Sequence, residues 1–178
     1  MKTLALVTTT LSIGGLLFGC AAIERAMPRT LSDANLMSVL LTIDVHEIAE
    51  AKLAIEKASS DPVHAYATQL VDAHSIMLVK HLHVANRIKP DKPNLASALE
   101  HTHQNTMEAL RTTSGEDFDR AFLAHQVTMH QQSLKLLDEM ADSADDFSLH
   151  VYLEQARPEL LIHLTEAQYL QRQLVAQQ

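Results

Sequence analysis

Beyond residue 30 the chain repeats apolar residues at steps of three and four, the spacing of one face of an α-helix. The breaks between these runs carry capping chemistry. Thr30, with Asp33 three residues on, opens a first long helix that runs to about Ala58. Asp61-Pro62 sets a capping carboxylate before a proline at the first helical position and starts a second long helix. That helix stops before Lys89-Pro90-Asp91-Lys92-Pro93, a segment no helix crosses. Asn94 opens a shorter helix to about Thr112, and Ser114-Gly115-Glu116-Asp117 opens the third long one, to about Asp142. Ser143 with Asp146 caps the fourth, which continues to about Val175 and is kinked by Pro158.

Short loops join the first helix to the second and the third to the fourth, and a long helical link joins the two pairs. This predicts an all-α fold, a ferritin-like four-helix bundle with a helical crossover between the second and third long helices. The domain spans 31–176.

The core-facing stripes are apolar except near their middles. On the second long helix the stripe reads Val63, Ala67, Leu70, His74, Met77, His81, Val84, Ile88. The third reads Leu123, Val127, His130, Leu134, Leu137, Ala141, and the fourth has His163 between Leu160 and Ala167. On the first, Glu47 follows Leu36, Leu40 and Ile43, with Glu50 or Ala51 next. A polar group on a core stripe costs several kcal/mol unless it is paired or bound. Four such interruptions, one per helix, call for a common cause.

Glu47, His74, His130 and His163 are therefore the candidate ligands of a divalent transition metal, zinc, iron or copper, because imidazole suits those ions and not calcium or magnesium. The competing reading is four separately satisfied polar residues that specify packing. Height along the bundle puts Glu47 and His74 at one level, ~17 and ~20 Å from their loop. It sets His130 and His163 more than one turn apart, at ~18 and ~26 Å. His81, two turns beyond His74, does not reach the same ion. The other histidines, His46, His64, His83, His101, His125 and His150, fall mostly off the stripes and read as solvated. Met77 and Met129, beside His74 and His130, read as core filler.

Composition narrows the classes. The chain has 178 residues, 14 Lys+Arg against 22 Asp+Glu, and a formal net charge of −8, with no basic footprint for nucleic acid. Three of its 4 glycines lie in the first twenty residues, which argues against β and dinucleotide-binding folds. Glu-x-x-His occurs only at Glu100–His103, in the link, so a ferritin-like two-iron oxidase fits poorly. No catalytic residue is assigned, and no Gly-x-Ser-x-Gly nucleophile elbow is present.

The first nineteen residues have the layout of a secretory signal, a short positive start and an apolar run. Leu17-Phe18-Gly19-Cys20 resembles a bacterial lipobox ahead of the sole cysteine, so Cys20 is the expected lipidation site, followed by a tether over 20–30. Ala21 after that cysteine resembles an outer-membrane sorting signal. The expectation is a lipid-anchored envelope protein facing the periplasm, with the membrane as partner and no nucleic acid.

Several ordered motifs carry a family resemblance. Glu47-Ile48, Leu53-Ala54, Lys57-Ala58-Ser59-Ser60 and Leu70-Val71-Asp72-Ala73-His74 are followed by Phe118-Asp119-Arg120-Ala121-Phe122, Gln126-Val127, His130, Arg157-Pro158-Glu159-Leu160 and His163-Leu164. Over residues 31 to about 174 the chain resembles domain of unknown function 4142, described as exported or outer-membrane bacterial proteins with a ferritin-like fold. The family's recurrent polar positions match Glu47, His74, His130 and His163. Its usual Asp-Asp-His reads Asp72-Ala73-His74 here, and Asp44-Val45-His46 replaces a Gly-rich stretch. The resemblance implies fold and export but no reaction. Metal buffering or stress protection leads. A structural or interaction role in the envelope, or a ferritin-like oxidase, stands as the alternative.

Overall fold

The structure, a computed structural model, describes residues 31–90, 94–141 and 144–176. The expected signal peptide, lipidation site Cys20 and tether, and the expected capping residues Thr30 and Ser143, lie outside the described residues. Five helices follow in order: α1 (Asp33–Lys57), α2 (Asp61–Ile88), α3 (Asn94–Thr112), α4 (Gly115–Met140) and α5 (Phe147–Ala176). Among the described residues there is no strand, and no helix is long and apolar enough to cross a membrane.

The helix starts differ slightly from the sequence reading. Ser32 caps α1, its hydroxyl accepting from the Asn35 amide. Ser60, not Asp61, caps α2, with Asp61 the first helical residue and Pro62 just inside. Asp146 caps α5, its Oδ1 accepting the amides of Ser148 and Leu149. Lys89, with φ of 57°, closes α2 in the left-handed conformation common at helix ends.

α1 and α2 form one antiparallel hairpin and α4 and α5 the other, while α3 crosses back over the first and fourth helices. Carboxylate side chains clamp both ends of the bundle. At one end Asp119, fully buried at the start of α4, accepts the Ser59 and Ser60 amides and the Ser59 hydroxyl of the α1–α2 loop. At the other, Asp33 accepts the Asp145 and Asp146 amides of the α4–α5 loop. Lys57 donates to the Leu110 and Arg111 carbonyls, where a cation meets the negative end of α3.

The apolar core is in two parts. One gathers Leu36, Met37, Leu40, Met140, Leu149 and Leu153 around the start of α1; the other gathers Ala54, Tyr66, Leu70, Phe118, Phe122 and Leu170 around its end. Between them lies a belt of buried polar residues from four helices: Asp44, His46, Glu47, Glu50, His74, His81, His125, Gln126, His130 and His163.

Candidate metal centre

The stripes predicted for α1, α2 and α5 are the buried faces of those helices, with Ile88 half-buried. α4 buries a wider arc: Gln126, Met129, Ser133, Leu136 and Met140 are inside, whereas Val127, Leu134 and Ala141 are half-buried. α1 likewise buries Asp44, His46 and Glu50 beside its stripe. Both helices are also covered by α3, so more than one face is removed from water.

His74 on α2, His130 on α4 and His163 on α5 each offer a ring nitrogen, all within 4.8 Å of one another, and all three residues are buried. The predicted vertical offset between His130 and His163 is not realised. α5 begins beyond the end of α4, so that the His150 ring donates to the Ala141 carbonyl at 2.8 Å. Counted from that pair, His130 and His163 are each about three to four turns away and share a level.

The tautomers are set by the outer partners. A carbonyl only accepts, so His130 Nδ1–H donates to Gln126 O (3.0 Å) and Nε2 turns a lone pair inward. His74 Nδ1–H donates to Asp44 Oδ1 (3.0 Å), and its Nε2 is buried with no partner among the described residues. Carboxylate and carbonyl partners of this kind orient metal-ligating imidazoles. His163 Nδ1 stands 3.3 Å from His130 Nε2. Ligand nitrogens of a tetrahedral zinc site with ~2.0 Å bonds stand about 3.3 Å apart, so this pair already has ligand spacing. Tyr66 donates to the His163 carbonyl (3.1 Å) and anchors that turn of α5.

Electrostatics favour the neutral form of two of the three rings. Burial, with His74 and His163 nearby, pushes His130 well below the ordinary imidazole value. Burial and His74 push His163 down to about 4. At His74, burial pulls down, but the Asp44 hydrogen bond and the charges of Glu47 and Asp44 outweigh it and the value rises. Asp44 is shared: its Oδ2 also accepts from His81 Nδ1, while His81 Nε2 and the Tyr152 hydroxyl beside it are buried without partners among the described residues.

Glu47 is set elsewhere in the belt, grouped with Glu50 and His125 within 4.8 Å. Glu50 Oε1 accepts from His103 Nδ1 and Oε2 from His125 Nε2, each at 2.7 Å. Burial raises Glu50, but the His125 and His103 imidazoles prevail and hold it at about 2. His125 is raised, because Glu50's charge and hydrogen bond outweigh its burial. Glu47, by contrast, is raised by burial and then by Glu50; Gln126 Nε2 donates to it at 2.9 Å.

Two expectations are thereby corrected. His46 and His125, read as solvated, are 8% and 6% exposed. They lie under the crossover, where His46 stacks on His103 (4.0 Å between rings) and His125 meets Glu50. Asp44 and Gln126 were missed altogether. Asp44 falls four residues after Leu40 and three before Glu47, a helical spacing that marked it as inward-facing. His64, His83 and His101 are exposed, as read.

The fold and belt define an all-α helical bundle with a histidine- and carboxylate-rich buried centre. The chain belongs to the family described as a domain of unknown function (DUF4142), matched over residues 20–170. No curated protein and no solved structure matches it.

Proposed function

We propose that this protein binds a divalent transition metal through His74, His130 and His163, and that it serves the cell envelope in metal buffering or stress protection, anchored by lipid at Cys20. The observation that carries the metal reading is the convergence of three buried imidazoles, with the His74 Nε2 atom left unpartnered in the centre. Three imidazoles suit zinc, copper or iron and leave a fourth position open, the coordination in which a bound ion can exchange ligands. Glu47, the fourth residue of the predicted set, acts on this ion through its charge rather than as one of the three grouped donors. The envelope reading rests on the signal-like leader and Leu17-Phe18-Gly19-Cys20.

Elemental analysis of the purified, untagged protein tests the first part. Near-stoichiometric metal, lost in the His74→Ala/His130→Ala double variant, is the expected result; no metal in a folded wild type refutes it and leaves a bundle whose histidines specify packing. Palmitate incorporation lost in Cys20→Ser tests the anchor.

A further inference from the structure

The belt holds a second group of donors that the trihistidine site does not use. Glu47 and Glu50 lie one turn apart on α1, 2% and 3% exposed, and His125 of α4 faces both. Two carboxylates buried together cost several kcal/mol unless positive charge lies between them. Among the described residues, imidazoles pair directly with Glu50 alone of the two, His103 and His125 each at 2.7 Å. Among the described residues Glu47 receives a hydrogen bond only from the Gln126 amide, and the other end of that carboxamide, Oε1, is buried with no partner. The group is short of a cation where its two carboxylates converge.

We propose that a second divalent first-row ion binds at Glu47, Glu50 and His125, beside the trihistidine position. Two carboxylates and one imidazole form a harder donor set than three imidazoles, suited to manganese(II) or iron(II). Outer partners are in place: Gln126 holds Glu47 and His103 holds Glu50. A chain of polar side chains runs outward from the group to the surface. Glu100, with its side chain 53% exposed, accepts from His46 Nε2 at 3.0 Å, and His46 stacks on His103, which touches Glu50. The second position uses residues distinct from the trihistidine set, so either site can fail alone.

The test is metal stoichiometry of the purified full chain, titrated with manganese(II) and with zinc(II) and followed by calorimetry. The expected result is two equivalents per chain in total, falling to one in Glu47→Gln and in His125→Ala, with the zinc-preferring equivalent kept. His163→Ala is expected to keep the manganese-binding one. A single equivalent that disappears in His163→Ala and survives in Glu47→Gln overturns the second site and leaves the first standing. A single equivalent with the opposite pattern overturns the trihistidine site instead. Should the variants not fold, anomalous density from wild-type crystals soaked in manganese(II) decides: a peak between Glu47 and Glu50 supports the proposal, and its absence at saturating ion overturns it.

Discussion

The two donor groups of the belt share a bundle, a depth and several helices, yet they stand in opposite electrostatic states. Around His130 and His163, burial and neighbouring imidazoles keep the rings neutral, and His163 Nδ1–H donates to the lone pair on His130 Nε2. Around Glu50, burial is outweighed by two imidazole partners, and the charged pair is retained. The difference teaches how a low-dielectric interior treats polar groups. Imidazoles can be neutralised and kept as waiting ligands, whereas a buried carboxylate either finds positive partners, as Glu50 does, or has its proton affinity raised by burial, as Glu47 does.

The largest expected effect breaks the carboxylate side. In metal-free protein, Glu50→Gln leaves His103 and His125 facing a neutral amide and should cost about 3 kcal/mol, since removing one partner of a buried pair leaves the other uncompensated. Urea denaturation measures it. His163→Leu should cost less than about 1 kcal/mol under the same conditions, because it removes an imidazole that is already neutral and replaces it with an apolar group of similar size. Equal losses in the two variants would erase the distinction between the groups.

The pH profile sharpens the same contrast. His46, His130 and His163 are depressed on folding, so below the unfolded value of 6.5 the unfolded chain binds more protons and stability falls with acidification. Each contributes up to about 1.4 kcal/mol per pH unit, with His163's share fully lost below about 4. Glu47, raised on folding, opposes them above 4.5 as one group against three. His74 and His125 are raised, so their contribution is complete below 6.5 and is lost as pH rises through their folded values. Glu50, lowered, adds a loss between 4.5 and about 2. The metal-free protein should therefore be most stable near pH 6.5, and a urea midpoint that climbs steadily from pH 5 to 8 would contradict this balance.

The smallest effect lies outside the belt. Arg157 and Asp138 pair at 2.7 Å but are both 51% exposed, so Arg157→Ala should leave the urea midpoint essentially unchanged. A lowered midpoint would mean that the α4–α5 register depends on this pair as well as on the His150–Ala141 contact.

Local rules were enough for the helices and for much of the centre. Periodicity and breakers are read within a few residues, so the five helices and the inward faces of α2 and α5 were legible, His74, His130 and His163 among them. The prediction put Glu47 with those histidines because one interruption per stripe suggested one site. It could not resolve two groups in the same belt, since which neighbours a buried carboxylate meets depends on how helices are rotated against one another. His125 and His46 were misread for a related reason: a stripe rule assumes one buried face, and the crossover helix gives α1 and α4 a second. The height of His163 was also misjudged, because loop length says nothing of how far α5 overshoots the end of α4.

By itself, then, the sequence determined an all-helical chain with polar interruptions in the middle of its apolar faces, since helical period and the cost of burying polar groups act residue by residue. Only the tertiary structure decided that three of those interruptions converge, that Asp44, Glu50, His125 and Gln126 join them, and which are charged. Those outcomes depend on distances between residues 30 to 97 positions apart, and the electrostatics of a buried group are fixed by whatever stands within a few ångströms of it in space.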